Sequence, residues 1–343
     1  MTVLVSGATG FIAQYIVNDL LLQNYKVIGT VRSQEKADKL KKHFGNNPNL
    51  ALELVADIAA PNAFDGVFKK YGADIKVVLH TASPVSINTK EYEKDLLIPA
   101  VNGTKNILEA IKKYAAKSVE RVVVTSSCAA VVDTSNQGDG SVVYTEESWN
   151  PATWESCQVN GISAYCGSKK LAEAAAWDFV RENRNVVKFQ LSTVNPIYVF
   201  GPQLFDEDVK DRLNSSCELI NALVRGKPEA QYLQGMRGHY IDVRDVSRAH
   251  LAAFQKEQAI GKRLILSNGP FTYQDLEDIV NEDFPQLKGK ILVGNPGSGK
   301  DIHKTMPTID NTKTREILGY PFKSLKETAD DTAAQILKKD GKL

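Results

Sequence analysis

Short apolar runs alternate with amphipathic stretches over the first 200 residues of the chain. Nearly continuous apolar runs are typical of buried parallel strands, and apolar positions three to four residues apart are typical of helices. This alternation predicts an α/β fold with right-handed crossovers and a doubly wound parallel sheet. The predicted strands cover residues 3–6, 26–31, 51–55, 76–80, 121–126 and 188–194. The predicted helices cover residues 11–22, 34–44, 63–70, 100–114 and 164–182.

The regular alternation of strand and helix patterns ends after residue 200. We expect one large domain over 1–200, to which 239–266 return, and a smaller α/β lobe over 201–238 and 267–343. Within this second part the pattern predicts a helix over 206–223, a loop over 226–238, a strand over 240–243, a helix over 246–256, a strand over 263–266, and helices near 272–283, 313–318 and 325–338.

Composition narrows the class of protein. The 343 residues include 42 basic and 41 acidic side chains, so the chain lacks the positive field that binding to nucleic acid or to an acidic membrane needs. The most apolar helix, residues 11–22, is too short and too polar to span a membrane. The four cysteines form no C-x-x-C pair and the five histidines are not at metal-ligand spacing. Because the chain also opens with a strand rather than a targeting segment, we expect a cytoplasmic protein with reduced thiols and no metal.

A glycine-rich segment joins the first predicted strand to the first predicted helix. Gly7 would allow a tight turn, Gly10 would let the backbone approach a pyrophosphate, and the small Ala13 would let the helix pack on the strand. Phosphate oxygens would then accept hydrogen bonds from N–H groups at the helix N-terminus. A strand precedes the segment and a helix follows it, so the pattern predicts a dinucleotide site of the Rossmann type. The loop residues are Gly7, Ala8, Thr9, Gly10, Phe11 and Ile12.

The end of the second predicted strand indicates which dinucleotide binds. An NAD site places an acidic residue there to bind the ribose 2′-hydroxyl, but this chain has Arg32 and no Asp or Glu over 20–34. Arg32 could instead hold a 2′-phosphate through bidentate hydrogen bonds, with Lys36 one helical turn further. The sequence therefore favours NADPH/NADP⁺. Asp57 and Ile58, after the third strand, suit the adenine amine and ring.

Three polar side chains are expected at one end of the predicted sheet. Tyr165 and Lys169 are four residues apart, which places them on one face of a helix. Ser127 ends the fifth strand, and ligands bind at the carboxyl ends of parallel strands. Carbonyl reduction builds negative charge on oxygen, so we interpret Tyr165 as the general acid and Ser127 as a hydrogen-bond donor to that oxygen. The charge of Lys169, together with that of the oxidised nicotinamide after hydride transfer, would lower the pKa of the phenol, and Lys169 would also hold the nicotinamide ribose.

The sequence resembles the extended short-chain dehydrogenase/reductase family over essentially its whole length. Motifs of this family occur in family order, and the pattern around residues 32–36, 95–100, 149–151 and 200–202 resembles its fungal NADPH-dependent methylglyoxal and 3-methylbutanal reductases. The resemblance implies a reductase of small aldehydes, α-oxoaldehydes and ketones. The motifs are Gly7–Ala13, Asp57–Ile58, His80–Pro84, Asn102–Thr104, Thr125–Ser127, Tyr165–Lys169, Asn195–Pro196 and Tyr240–Val246.

The resemblance also implies further contacts. The family's cofactor would lie above Ala82, Ser83 and Pro84, with its nicotinamide end against Pro196 and Val199 and a phosphate near Ser216. The chain departs from its relatives at Cys128 and Val85, where an aromatic residue is common, so we expect a wider pocket. The residues expected to line the substrate pocket are Val85, Cys128, Val132, Ile162 and Tyr198.

Several alternatives stay open at this point. Residues 294–300 fit the pattern of a P-loop, although Asp301 stands where a magnesium-binding Ser or Thr is required. A non-catalytic NADPH sensor, a nucleotide-sugar epimerase on the same fold and a dihydroflavonol or cinnamoyl-type ketone reductase are the other candidates. The sequence does not decide between a monomer and a homodimer.

Overall fold

The computed structural model of the protein describes residues 1–83 and 89–343, and it consists of twelve strands and twelve α-helices in these ranges. The strands are β1 (Thr2–Ser6), β2 (Lys26–Val31), β3 (Leu50–Leu54), β4 (Ile75–His80), β5 (Arg121–Thr125), β6 (Val143–Tyr144), β7 (Gln190–Pro196), β8 (Tyr198–Phe200), β9 (Arg237–Asp242), β10 (Arg263–Leu266), β11 (Pro270–Thr272) and β12 (Thr308–Ile309). The helices are α1 (Phe11–Leu22), α2 (Gln34–His43), α3 (Asp65–Tyr71), α4 (Ile98–Tyr114), α5 (Gly161–Asn183), α6 (Cys217–Val224), α7 (Ala230–Leu233), α8 (Val243–Gln255), α9 (Tyr273–Asp283), α10 (Gly299–His303), α11 (Thr312–Leu318) and α12 (Leu325–Lys339).

Seven of the strands form one parallel sheet in the order β10-β7-β5-β4-β1-β2-β3. The strand order reverses between β1 and β4, and the carboxyl ends at such a reversal form a crevice where ligands bind. This is the Rossmann-like α/β fold that the alternation of the sequence predicts, and that prediction is confirmed.

Both faces of the large sheet are covered by helices. In β1, Val3 and Val5 pack into one core with α1, α2 and α8, whereas Leu4 packs into the opposite core with α3, α4 and α5. This division follows from the alternation of side chains along a strand. A strand buried on both faces has to be apolar throughout, which is why these strands read as continuous apolar runs.

A smaller lobe begins at the carboxyl end of β7. Its three-stranded sheet has the order β11-β9-β8 and shares an apolar core with α6, α9 and α12. Since β8 follows β7 after a single residue, the small lobe stands directly beside the edge of the large sheet where the carboxyl ends lie. The predicted strand over 240–243 is therefore β9 of the small sheet, and the chain returns to the large sheet with α8 and β10.

The helix predicted over 206–223 is wrong for its first half. Residues 206–208 form only a single 3₁₀ turn, and α6 begins at Cys217. The polar segment is held by outside partners instead of by its own helix. Asp208 accepts from Gln14 at 3.1 Å and pairs with Lys39, and Gln335 donates to Asp206 at 2.9 Å. The predicted loop over 226–238 also differs, since it contains α7 and the start of β9.

Candidate active site

The turn after β1 requires glycine at its first position. Gly7 has a φ of +67°, and a Cβ atom there would lie 3.0 Å from the Cβ of Ala82. A side chain at residue 7 would therefore be strained by its backbone conformation and would also fill the space between the ends of β1 and β4. This close approach leaves a cradle at the carboxyl edge of the sheet, as the glycine pattern predicts.

The first turn of α1 is left open to an outside acceptor. Gly10 is the N-cap and has no side chain that could accept from the N–H groups of this turn. The amide of Gln14 donates to the carbonyl of Thr9 at 3.1 Å, which fixes the loop against the helix. Behind the loop, a Cβ at Gly29 would come within 2.8 Å of the Cβ of Ala8, so the loop packs tightly on β2. The residues present fit a pyrophosphate at this helix end.

The residues expected to select the cofactor lie at the end of β2. Arg32 and Lys36 are both exposed, and Arg32 has no ion-pair partner in the described part of the chain. Between them Ser33 caps α2 by accepting from the N–H of Lys36 at 3.4 Å. Asp57 and Ile58 follow β3, and Asp57 accepts from the N–H of residue 59 at 2.8 Å. The exposed guanidinium at the start of α2 fits a phosphate group.

A buried hydroxyl ties β1 to β4 beside the glycine turn. Ser6 Oγ accepts from the N–H groups of Thr81 and Ala82, both at 3.0 Å, so its hydrogen is free for Nδ1 of His80 at 2.9 Å. Burial lowers the pKa of His80 to about 3, and the charge of Lys169 adds to this shift. His80 is therefore a neutral structural group. Ser83 is half-buried at the end of this segment, while Pro84 and Val85 lie outside the described residues.

The structure brings Ser127, Tyr165 and Lys169 together. Asn160 caps α5 by accepting from the N–H of Ser163 at 2.9 Å, which starts the helix one turn before Tyr165. Ser127 follows β5 and accepts from the N–H of Ala129 at 3.1 Å. Its hydroxyl also forms a hydrogen bond with the phenol of Tyr165. Lys169 lies one turn after Tyr165, and its ammonium group donates to no residue within 1–83 and 89–343. The phenol and the hydroxyl of Ser127 thus lie within hydrogen-bonding reach of each other, and Lys169 follows one helical turn later.

Burial decides the pKa values of this site. The pKa of Tyr165 is raised to about 12 by burial, and hydrogen bonding from Ser127 opposes the shift. The pKa of Lys169 is lowered to about 8 by burial, against the charge of Glu173. Burial is the largest influence on the phenol in the protein without its cofactor, and the lowering of this pKa by Lys169 together with oxidised nicotinamide stays a prediction. The phenol therefore keeps its proton at neutral pH.

The expected contacts of the nicotinamide end lie where the two sheets meet. Pro196 ends β7, and its carbonyl accepts from the hydroxyl of Ser127 at 3.4 Å. Val199 is in β8, and Ser216 precedes α6. The thiol of Cys217 donates to the carbonyl of Gly201 at 3.4 Å and so holds the start of α6 against the end of β8. These residues all follow the carboxyl ends of the large sheet.

The expected pocket residues fall into two groups. Tyr198 and Ile162 lie near Tyr165. Tyr198 raises the pKa of the Tyr165 phenol electrostatically, and Ile162 is exposed one turn before Tyr165 on α5. Val132 is half-buried and packs beside Cys128. Cys128 itself is only 1 % exposed, and its thiol donates to the carbonyl of Asn195 at 3.1 Å. The expectation that Cys128 lines an open pocket is therefore wrong, because its side chain points into a buried cluster.

Glu173 is a residue of this site that the sequence analysis missed. It is 1 % exposed and lies one helical turn after Lys169, where it accepts from Arg263 and Asn195. The available signal was the repeat of four residues from Tyr165 to Lys169 to Glu173, which continues the active face of α5.

The segment 294–300 does not have the structure of a P-loop. Two of the N–H groups that a phosphate would need are already used, since Gln274 accepts from residue 295 at 2.7 Å and Asp278 accepts from residue 297 at 2.8 Å. Within the described residues no strand leads directly into it, and α10 is only five residues long. Asp278 and Asp301 would also repel a phosphate. The nucleoside triphosphatase alternative therefore lacks a site.

Neither a metal site nor a membrane-spanning helix is found in the described part of the chain. Over 1–83 and 89–343, no group of three or more His, Cys, Asp or Glu side chains could hold a metal ion. In the same ranges no helix has the length and apolar character needed to cross a membrane. All four cysteines are free and buried.

Comparison with known proteins places this geometry in a family. The family model of the NAD dependent epimerase/dehydratase family matches residues 3–266. The chain is 60% identical over 343 residues to the NADPH-dependent methylglyoxal reductase of Saccharomyces cerevisiae, covering 100% of both chains. It is 47% identical over 340 residues to a putative NADPH-dependent methylglyoxal reductase of Candida albicans, covering 98% of each.

A solved structure agrees with these matches. The crystal structure of yeast methylglyoxal/isovaleraldehyde reductase complexed with NADPH superposes with a TM-score of 0.95, at 59% identity and with 100% of both chains covered. The resemblance to extended short-chain dehydrogenase/reductases is thereby confirmed, and the chain belongs to the NAD dependent epimerase/dehydratase family.

Proposed function

We propose that this protein is an NADPH-dependent carbonyl reductase. The observation that carries the proposal is the convergence of Ser127, Tyr165 and Lys169 at the carboxyl end of the sheet, beside a glycine turn shaped for a dinucleotide. Support comes from the two relatives named as NADPH-dependent methylglyoxal reductases and from the NADPH complex of the yeast enzyme.

The residues present fit NADPH in four places. The open first turn of α1 would hold the pyrophosphate, and Arg32 with Lys36 would hold the 2′-phosphate. Asp57 and Ile58 would contact the adenine. Lys169 would donate to the hydroxyls of the nicotinamide ribose, since its ammonium group lacks an acceptor in the described part of the protein. The remaining contacts would come from Ala82, Ser83, Pro84, Pro196, Val199 and Ser216.

Side chains of the protein would donate a proton and a hydrogen bond to the carbonyl oxygen of the substrate. When bound, the reduced nicotinamide supplies a hydride to the carbonyl carbon. Tyr165 keeps its proton at neutral pH because its pKa is about 12, so it can donate that proton to the oxygen as negative charge develops there. Ser127 donates a hydrogen bond to the same oxygen, and the charge of Lys169 stabilises the tyrosinate left behind. The buried surroundings strengthen each of these interactions.

The substrates we propose are small aldehydes, α-oxoaldehydes such as methylglyoxal, 3-methylbutanal and ketones with one apolar side. Tyr198 and Ile162 offer apolar contacts near Tyr165, and we keep Val132 and Val85 as candidates from the sequence. A ketone reductase of the dihydroflavonol or cinnamoyl type would use the same three polar residues. Arg32 argues against a nucleotide-sugar epimerase with NAD, and a sensor would not need the Ser-Tyr-Lys set.

We further propose a cytoplasmic enzyme, supported by its four free cysteines.

Turnover of defined aldehydes tests the proposal. NADPH absorbance should decay with methylglyoxal or 3-methylbutanal, and NADH should support a much slower reaction. Tyr165→Phe should lower kcat by about 10²–10⁴-fold with little change in the Kd of NADPH, because only the proton donor is lost.

Tyr273→Phe is the matched control for that variant. Its hydroxyl donates to Leu219 at 3.3 Å inside the small lobe, so its loss leaves the catalytic groups in place. Near-normal turnover by Tyr165→Phe would refute the acid assignment. No turnover by the wild type with any of a broad panel of aldehydes and ketones would favour the sensor.

A further inference from the structure

Glu173 is the centre of a buried hydrogen-bond network beneath the catalytic residues. Its Oε1 accepts from Nε of Arg263 at 2.5 Å, and its Oε2 accepts from Nδ2 of Asn195 at 2.7 Å and from the hydroxyl of Ser126. The donors come from β10, β7 and the end of β5. One side chain of α5 thus joins three neighbouring strands of the large sheet, β5 and β7 near their carboxyl ends and β10 at its first residue.

The network extends directly to Ser127. The Nδ2 group that donates to Glu173 also donates to the carbonyl oxygen of Ser127, at 3.1 Å. The hydroxyl of Thr193 donates to Oδ1 of Asn195 at 2.8 Å, which fixes the orientation of this amide. The position of the Ser127 backbone is therefore set by an amide that Glu173 holds.

Arg263 keeps the carboxylate in place from the other side. Its side chain is 8% exposed and stacks on the ring of Trp149 at 3.9 Å. Its guanidinium also donates to the carbonyl of Glu146 at 3.0 Å and to that of Ala130 at 3.3 Å, in the turn that follows Ser127. Because a buried charge is stable only when it is paired and hydrogen-bonded, neither partner can move freely.

We propose that Glu173 is a positioning residue of the reductase: it fixes Ser127 through Asn195 and maintains the charge of Lys169 one helical turn away. The inference rests on the proposed function. A purely structural ion pair would explain the tie between α5 and β10. It would not require the carboxylate to lie on the face of α5 that carries Tyr165 and Lys169.

The charged surroundings of Lys169 support this role. Glu173 raises the pKa of Lys169, which burial lowers to about 8. His80 of β4 faces Lys169 and is neutral, and the turn after β5, which packs on α5, contributes Cys128, whose pKa burial raises. The other elements packed on α5 contribute four charged side chains. Arg263 comes from β10, and Lys112 of α4 lies over the ring of Phe179. Before α4, Glu93 accepts from Trp154 and Asp95 accepts from Thr89.

The variant Glu173→Gln removes the charge of the carboxylate and keeps the size and shape of the side chain. Without the carboxylate the protonated form of Lys169 loses its stabilising neighbour, so the pKa of Lys169 should fall below 8, by about one unit. The measurement is NMR of the cofactor-free protein labelled with ¹³Cε-lysine, titrated between pH 5 and 10, with the signal assigned by Lys169→Arg. In the active enzyme the fall of kcat/KM at high pH should move down by the same amount, about a threefold loss at pH 7.5.

Two further variants separate positioning from folding. Glu173→Gln/Arg263→Met removes both buried charges, which should restore thermal stability relative to the single variant and still leave the pKa of Lys169 lowered. Asp245→Asn is the matched control, since it neutralises a fully buried carboxylate that accepts from the N–H of Lys323 at 2.7 Å, away from the site. It should lower stability and leave the Lys169 titration unchanged.

The outcomes distinguish this inference from the proposed function. If wild-type protein turns over no carbonyl compound, the reductase proposal fails and with it the reductase role of Glu173, although the titration of Lys169 still reports the effect of its charge. If the wild type is active and both Glu173 variants titrate Lys169 as the wild type does, Glu173 is a structural residue and the inference is overturned. If the single variant does not fold, the double variant decides the question.

Discussion

At the scale of single residues, burial acts on Tyr165 and Lys169 in opposite directions. It raises the pKa of Tyr165 to about 12, which keeps the proton that a reductase has to donate. It lowers the pKa of Lys169 to about 8, and the charge of Glu173 opposes this shift. Since both shifts arise from the same loss of hydration, a buried carboxylate beside Lys169 helps the site to retain its cation.

Arg32→Glu should change the cofactor preference. The exposed guanidinium at the end of β2 would pair with the 2′-phosphate of NADPH, whereas a carboxylate would repel it and could accept from the 2′-hydroxyl of NADH. We expect kcat/KM for NADPH to fall by about 100-fold and that for NADH to fall far less or to rise. Steady-state kinetics with both cofactors measure this.

The control for that variant is Lys41→Glu, which makes the same charge change at an exposed position near the end of α2. It should leave the ratio of the two cofactors as in the wild type. An unchanged ratio in Arg32→Glu as well would mean that this arginine is only a solvated surface charge.

The site could be predicted from the sequence where a motif lies within one turn of chain. Gly7 and the Tyr165–Lys169 pair belong to such local patterns, and the structure brings them to one edge of the sheet. The role of Glu173 depends on Arg263, which is 90 residues away, so spacing alone could not reveal it. The burial of Cys128 similarly depends on the carbonyl of a neighbouring strand.

At the scale of elements, α5 is positioned by a close contact in its middle. Gly167 lies between Tyr165 and Lys169, and a Cβ atom there would come within 2.4 Å of both Cβ and Sγ of Cys157. The N–H of Cys157 donates to the carbonyl of Thr153 at 3.3 Å, which fixes the segment that carries Cys157. The helix can approach this segment only because residue 167 has no side chain.

Gly167→Ala should destabilise the protein although alanine is the better helix former. The gain in helix propensity is about 1 kcal/mol, whereas overpacking a tight contact costs about 1–3 kcal/mol. We expect a lower urea midpoint and a reduced kcat, because Tyr165 and Lys169 flank the displaced turn. Both are measured on the purified variant.

Gly66→Ala is the matched control, because Gly66 is in α3 and a Cβ there would meet nothing within 4 Å. It should be neutral or stabilise the protein by up to about 1 kcal/mol. A Gly167→Ala variant that gained stability like Gly66→Ala would show that the segment around Cys157 yields easily.

Elements could be predicted where the large sheet dictates an apolar run. The bounds of β2, α1 and β10 were predicted without error, since each is limited by glycine or polar residues at its ends. The strands of the small lobe were harder: β8 and β11 have three residues each, too few for a periodic signal. The first half of the helix predicted over 206–223 failed because distant side chains hold that polar segment.

At the scale of the whole molecule, two fully buried histidines make the fold sensitive to acid. His250 in α8 binds the hydroxyl of Thr125 at 2.7 Å through Nε2 and the carbonyl of Val246 at 2.8 Å through Nδ1. Since a carbonyl only accepts, Nδ1 carries the hydrogen and Nε2 accepts from Thr125. Burial lowers the pKa of His250 to about 4, as it lowers that of His80 to about 3.

Both histidines should therefore reduce stability as the pH falls. Their pKa values are below the value of about 6.5 in the unfolded chain, so the unfolded state takes up protons first and becomes favoured. The loss begins near pH 6.5 and continues to about pH 4, where His250 in the folded protein is itself protonated. At pH 5 each histidine should contribute a loss of about 2 kcal/mol relative to pH 7.5.

His250→Gln tests this prediction, because glutamine can hydrogen-bond and does not titrate. Between pH 7.5 and 5 the variant should lose about 2 kcal/mol less than the wild type in its free energy of unfolding, measured by urea denaturation. Thr125→Val removes the hydrogen bond but keeps the imidazole, so it should be less stable at both pH values and retain the full pH dependence. Equal pH dependence in His250→Gln and wild type would mean that other groups, such as surface carboxylates, cause the acid sensitivity.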